Sequence, residues 1–219
     1  LAAIGSITDP GTTKNTISIT WANDAAKNYE ITEKEGDLTV TAAGIEVSGL
    51  ADVVYNGLDQ KQKTEVTSNG KMLVEGTDYD LSYAGDIKNV GKVVATVTGK
   101  GKYTGSYEVS YFITPATLTV TTLSDSKQYD GTALTAEGSI DGLVNGETAT
   151  FATTGSQTTV GSSTNWYSID WNGTAKQSNY TINESLGTLS VTEYADEVVV
   201  TTTGFDGTYD GMPHGATVT

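Results

Sequence analysis

Few side chains in this 219-residue sequence can do chemistry. There is one histidine, His214, and no cysteine, so any Ser-His-Asp or Cys-His relay would have to be built on His214. It sits next to Pro213 with no acid–base context around it and is not expected to serve. Zinc fails on the same count, because its sites draw on several His or Cys ligands. The carboxylates are better placed. Asp78 and Asp80 flank Tyr79, so on a strand both face one side, opposite Tyr79, and Asp86 follows a few residues on. Oxygen donors in this arrangement suit Ca²⁺, although the spacing lacks a calcium-loop pattern and solvated outward aspartates are the alternative. Asp78, Asp80 and Asp86 are therefore weak metal candidates. No cofactor is called for, and nothing sets two carboxylates across a cleft as glycoside hydrolysis requires. The expectation is a protein that is not an enzyme.

The most conspicuous motif is Tyr129-Asp130-Gly131, which recurs as Tyr209-Asp210-Gly211 and, altered by one residue, as Tyr55-Asn56-Gly57. It could be a ligand contact or a turn. For a turn, Gly supplies positive φ, Asp or Asn bonds local backbone amides, and Tyr packs its ring. The Asp-to-Asn exchange favours the turn, since either side chain can cap one but only the first is charged.

Behind the motif lies an internal repeat. Gly5, Gly11, Asn15, Ser18, Ile19 and Trp21 match Gly155, Gly161, Asn165, Ser168, Ile169 and Trp171 at an offset of 150. After one inserted residue, Asn28, Tyr29, Ile31, Glu33, Gly36, Leu38 and Val40 match Asn179, Tyr180, Ile182, Glu184, Gly187, Leu189 and Val191 at 151. The repeat fixes which face each residue occupies. Ile17, Ile19 and Trp21 alternate with polar residues, which makes Trp21 and Trp171 core residues and puts Trp166, the counterpart of Thr16, on the outward face. An exposed indole can stack on a sugar or peptide, or serve a module interface.

Apolar alternation of period two predicts strands throughout: Ile17–Trp21, Tyr29 and Ile31, Leu38–Thr41, Tyr79–Tyr83, Val93–Val97, Tyr107–Ile113, Leu118–Val120 and Val198–Thr201. No pattern of period 3.6 persists, so at most a stray helical turn is expected. The chain therefore divides into 1–43, the second half of one module; 44–115, a complete module of a sister type ending at Pro115; 116–193, a complete module; and 194–219, the start of another. With no signal-peptide pattern at Leu1, it reads as an internal fragment of something longer. The fold class is all-β, small β-sandwich modules in tandem, forming an elongated array.

Composition narrows the partners. The formal charge is −15 and all twelve basic residues are lysines, which argues against nucleic acid and against anionic membrane surfaces. No apolar run approaches the length of a membrane helix. The absence of cysteine excludes disulfides.

Residues Lys127-Gln128-Tyr129-Asp130-Gly131-Thr132, Asn179-Tyr180-Thr181-Ile182 and Gly187–Thr192 resemble the YDG and MBG-type repeats of bacterial surface proteins. The middle module, through Tyr55-Asn56-Gly57, Gly76–Tyr79, Asn89-Val90-Gly91 and Gly99–Gly105, resembles a sister bacterial immunoglobulin-like repeat. At 194–219 the pattern departs, with Gly207 in the place of Lys127 and Met212 in that of Thr132. The resemblance implies a stalk or spacer region of an exported adhesin, extracellular on a bacterial surface, whose partners are neighbouring repeats. The alternative is an adhesin module that binds a host glycan or protein through Trp166. Some related adhesin domains carry isopeptide cross-links; Lys127 with Asn179 or Asn183 would be the residues here. The triplets beginning at Asn172, Asn179 and Asn183 resemble glycosylation acceptors only as coincidences of a Thr-rich sequence. Finally, the two incomplete terminal modules either mark where the sequence was cut or complement each other head to tail between copies.

Overall fold

The structure, a computed structural model, describes residues 1–196, 198–215 and 217–218; the side chains of Asn23, Asp24, Ala25, Thr217 and Val218 lie outside the description. The chain is all-β. Two short 3₁₀ helices, Asn23–Asn28 and Gln177–Asn179, are the helical turns among the described residues. There are two compact units. The first holds 1–118, 142–148 and 173–181; the second holds 119–141, 149–172 and 182–219.

In the first unit, residues 44–115 build two facing sheets. One is ordered Tyr79–Ala84, Gly91–Gly99, Ser106–Thr114, Val53–Val54, antiparallel except for the last pair, where Ile113 lies opposite Val53 in parallel register. The other is Glu46–Val47, Val66–Ser68, Lys71–Met72. The alternation in Gly91–Gly99 is realised directly: Val93, Ala95 and Val97 are fully buried while Lys92 and Thr98 are exposed. Ile45, Val66, Leu73, Tyr79 and Val97 form one buried cluster drawing on both sheets, with Val47, Leu81 and Tyr103 against it. Each fully buried valine stabilises the fold by about 1.5–3 kcal/mol relative to exposure. This is the β-sandwich plan the alternation implies.

Residues 1–43 and 150–192 share one framework, pair by pair. Gly11–Lys14 runs antiparallel to Asp37–Val40 with Gly11 opposite Val40; Gly161–Thr164 runs antiparallel to Thr188–Thr192 with Gly161 opposite Val191. Ala2 faces Ser18 as Ala152 faces Ser168. In the second unit the strand Thr188–Thr192 is central, flanked by Gly161–Thr164 and by Asp125–Gln128. Leu134, Leu189 and Val191 form its buried core.

Three expectations are corrected. Tyr29 and Ile31 were assigned to a strand, yet residues 29–36 form none and both side chains are exposed. Val198–Thr201 likewise forms no strand. Their counterparts, Tyr180–Ser185 and Ala116–Thr122, are strands in one sheet. The patterning is the same; what differs is a hydrogen-bonding neighbour, without which an extended segment is not held. Third, Trp21 and Trp171 are half-buried rather than enclosed, with Trp21 stacked on Tyr29 at 5.6 Å between ring centroids.

Candidate functional site

The three Tyr-Asx-Gly turns have one geometry. Asn56, Asp130 and Asp210 each accept, through Oδ1, the N–H two residues on, at 2.9 Å in all three. Gly57, Gly131 and Gly211 have φ of 77°, 78° and 75°, a region that favours glycine. Lys127 donates to Asp130 at 2.7 Å and to Thr132 at 2.6 Å. That ammonium, followed by the Thr132 N–H and hydroxyl, holds the Asp130 carboxyl well below the usual range. Where Gly207 replaces the lysine, His214 reaches Asp210 through Nε2 at 2.8 Å and stacks on Phe205. The tyrosines diverge. Tyr55 is buried, whereas Tyr129 is 43% and Tyr209 97% exposed, so ring packing at this turn holds for Tyr55 and not for the other two.

Tyr55 leads to the best-organised polar cluster in the first unit. Its hydroxyl donates to Glu147 Oε1 at 2.5 Å, and the Tyr180 hydroxyl donates to Oε2 of the same carboxylate at 2.6 Å. The two rings meet edge to face, 5.7 Å between centroids at 84°. Burial, then the bond to Glu147, pushes both phenols up to about 12. Alongside, Asn179 is buried; its Oδ1 accepts the Val90 N–H at 3.1 Å and its Nδ2 donates to Asn89 Oδ1 at 2.8 Å. Asn89 donates in turn to Asp86 at 2.6 Å; with the Asn89 and Lys88 N–H groups, this pulls the Asp86 carboxyl down to about 2. Asn145, at φ 51°, donates to the Gly57 carbonyl at 3.2 Å. So the loops 142–148 and 173–181, which belong to module 116–193 by sequence, are tied to module 44–115 by two tyrosines, one carboxylate and three asparagines. Tyr55, Lys88, Asn89, Glu147, Thr174 and Lys176 line a cavity of about 100 Å³ there, smaller than ordinary small-molecule sites. A larger concavity of about 470 Å³ is lined by Pro10, Val40, Ala43, Lys71, Lys102 and Tyr103 among others.

The second unit has its own buried hub. Asn165 is fully buried, and its Nδ2 donates to the carbonyls of Leu123 and Ala136, each at 3.0 Å. Its backbone N–H donates to Gly187 O at 2.9 Å, and its carbonyl accepts the buried Thr122 hydroxyl at 2.7 Å. A Cβ on Gly155 would lie 2.5 Å from Asn165 Cα, and one on Gly5 is the same distance from Asn15 Cα, which explains the shared glycine.

The remaining sequence candidates are placed as follows. Asp78 accepts the Val74 N–H, Asp80 pairs with Lys100 at 2.9 Å, and Asp86 is spent on Lys88 and Asn89; the three act separately. Among the described residues no group of three His, Cys, Asp or Glu is set to hold a metal. Trp166 is 57% exposed. Lys127 is engaged with Asp130 and Thr132, and Asn179 with Asn89 and Val90. Reading the sequence missed Glu147, Asn145 and Asn165 as organising residues. The identity of Asn15 with Asn165 was the available signal for the last; nothing local marks Glu147.

An all-β chain in which residues 1–43 and 150–192 share one framework of strand pairs has the organisation of a repeat region. Residues 118–190 match the model of the MBG domain (YGX type), and that stretch is an MBG-type repeat. A search of curated proteins found no match to the chain. MBG domains are typical of bacterial surface proteins, so the chain points to a repeat region of such a protein. No helix among the described residues is long and apolar enough to cross a membrane.

Proposed function

We propose that this chain is a non-enzymatic spacer in an exported adhesin-like protein, carried outside the cell on a bacterial surface, whose work is to hold neighbouring repeats in register under load. The observation that carries this reading is the Tyr55–Glu147–Tyr180 joint with its Asn89–Asn179 and Gly57–Asn145 bonds. It commits part-buried hydrogen bonds, two of them charge-assisted by the Glu147 carboxylate, to fastening one module's loops onto another. Pulling the chain by its two ends in an optical trap tests it. Discrete resisting steps are expected, with Glu147→Ala lowering the force of the step that releases the joint. Smooth extension without such steps would refute the spacer role.

A second reading is supported by Trp166, whose exposed indole offers a stacking platform for a sugar ring or a peptide of the host. On a glycan array it predicts binding that Trp166→Ala removes. Binding that survives this change would sink it.

A further inference from the structure

Four asparagines in the chain precede a glycine: Asn56-Gly57, Asn69-Gly70, Asn145-Gly146 and Asn172-Gly173. Such a pair can cyclise, because the glycine nitrogen can attack the asparagine Cγ and the glycine has no Cβ to shield that nitrogen. None of the four glycine N–H groups donates to the backbone among the described residues. What decides between the pairs is therefore the asparagine side chain and the space around the glycine.

Three pairs are restrained. Asn56 Oδ1 accepts the Leu58 N–H at 2.9 Å. Asn145 Nδ2 donates to the Gly57 carbonyl at 3.2 Å. Asn172 accepts the Thr150 hydroxyl at 3.1 Å and donates to Asp170 Oδ2 at 3.2 Å. Two of the glycines are also pressed against neighbours: a Cβ on Gly57 would lie 2.6 Å from Asn145 Cβ, and one on Gly173 would lie 2.2 Å from the Thr148 carbonyl oxygen. Asn69 has neither restraint. It and Gly70 are exposed, its side chain makes no hydrogen bond among the described residues, and a Cβ on Gly70 would meet nothing within 4 Å. Asn145 is the internal comparison. Asn69 and Gly70 have φ of 48° and 74°, and Asn145 and Gly146 have φ of 51° and 69°, so both pairs make the same left-handed turn and differ in the tether to Gly57.

We propose that Asn69 is a site of spontaneous deamidation, the one of the four pairs that converts in the folded chain. Hydroxide removes the Gly70 amide proton. The nitrogen then bonds to Asn69 Cγ as the Cγ–Nδ2 bond breaks, and ammonia leaves with a proton from water. Water opens the resulting five-membered imide. Attack at Cγ gives aspartate on the original backbone; attack at the other carbonyl gives isoaspartate, with the chain routed through Cβ. One water is consumed and one ammonia released, with no oxidation or reduction. The turn joins Val66–Ser68 to Lys71–Met72, with Ser68 opposite Lys71 and the buried Ser68 hydroxyl donating to Gly44 O at 2.7 Å. Isoaspartate adds a backbone carbon to a two-residue connection whose length sets that register, so it loosens the hairpin, whereas aspartate keeps it.

The full chain, folded or in urea, is held in mildly alkaline buffer, and the peptides spanning the four pairs are followed by mass spectrometry for the change from amide to acid. A restrained amide must first break its hydrogen bond, and one such bond is worth about tenfold in rate. In the folded chain Asn69 should therefore convert about tenfold faster than Asn56, Asn145 or Asn172, and faster still as pH rises; in urea the four should convert at similar rates. Asn69→Asp should remove the fast phase of ammonia release. Labelling with an isoaspartyl methyltransferase should mark position 69, and in the labelled fraction the Leu73 N–H, which donates to Val66 O at 2.9 Å, should exchange faster than in the parent chain. Equal rates at the four pairs in the folded chain, another pair converting first, or an Asn69 that converts in urea and not in the folded chain overturns the proposal. Unchanged exchange at Leu73 overturns the loosening of the hairpin.

Discussion

Asn15 and Asn165 are the same residue at the same place in two copies of one framework, and they should differ sharply in their worth. Asn165 is fully buried, and its Nδ2 satisfies two carbonyls, those of Leu123 and Ala136, at 3.0 Å each. Asn165→Ala leaves both without this donor. An orphaned buried polar group costs about 1–3 kcal/mol, so the pair, together with the small void, should lower stability by about 3 kcal/mol. At 4–8 °C per kcal/mol for a unit of this size, the transition should fall by roughly 12–24 °C. Asn15 is half-buried rather than enclosed. Asn15→Ala should therefore cost no more than about 0.5 kcal/mol, the range of ordinary surface changes. Differential scanning calorimetry of the two variants beside the parent chain reads both numbers. Asn165→Asp gives a further signature. Desolvation and two facing carbonyls raise the folded-state pKa of the new carboxyl above its unfolded value. Stability is then greatest below the unfolded pKa, where the acid is neutral and can donate one bond, and is lost as pH rises through the folded pKa. Equal losses at Asn15 and Asn165, or a loss below about 1 kcal/mol at Asn165, would refute the hub reasoning.

Glu147→Ala removes the acceptor of two hydroxyls and should cost about 2–3 kcal/mol in urea unfolding, with Glu147→Gln, which keeps one carbonyl acceptor, costing about half as much. Tyr55 and Tyr180 are raised to about 12, so their neutral forms stabilise the fold fully below the unfolded tyrosine value near 10, and that stability is lost as pH climbs from there through about 12. Absorbance at ~295 nm should show these two tyrosines ionising well above the ordinary tyrosine value near 10, and their replacement by Phe should remove that late part of the titration; a titration unchanged by both replacements would contradict the joint. Gly57→Ala should destabilise more than Gly131→Ala. Both have left-handed φ, costing about 1–2 kcal/mol, but a Cβ at Gly57 also lies 2.6 Å from Asn145 Cβ, whereas one at Gly131 meets nothing within 4 Å. Chemical denaturation of the two variants checks the order.

What could be read from the sequence was whatever is local or repeated. The period-two run through Val93, Ala95 and Val97 specifies a strand and its buried face together, since alternate side chains leave the backbone on opposite sides. The Tyr-Asx-Gly turn is readable because its bonds close within two residues and its glycine has the φ that glycine favours. The joint was not readable. Glu147 reaches Tyr55 across 92 positions, and neither has a neighbour in sequence that foretells the other. Ring burial failed as a property of the motif for the same reason: Tyr55 is covered because Glu147 and Tyr180 arrive from elsewhere, and Tyr209 is left exposed.

The two copies of the framework also separate what patterning does from what pairing does. Tyr29, Ile31 and Glu33 match Tyr180, Ile182 and Glu184, so propensity and alternation are nearly equal at the two places. One is a six-residue strand and the other is not a strand at all. The difference must come from outside the segment, and the partner strand Ala116–Thr122 is the difference in the sheet. The reverse comparison agrees: 198–201 carries the apolar pattern of 118–121 and stays unpaired. Fixing an isolated extended segment costs about 1–2 kcal/mol of backbone entropy per residue, which ladder bonds and shared burial must offset. Pairing and burial arrive together, so a module of this kind is cooperative across its whole length. Within module 116–193, a cut between residues 122 and 180 would separate two strands of one sheet, Ala116–Thr122 and Tyr180–Ser185. A break between modules, at Pro115, divides no such pair of strands. The stable unit of the array is therefore set by which strands share a sheet, and sequence periodicity locates those strands without saying which of them pair.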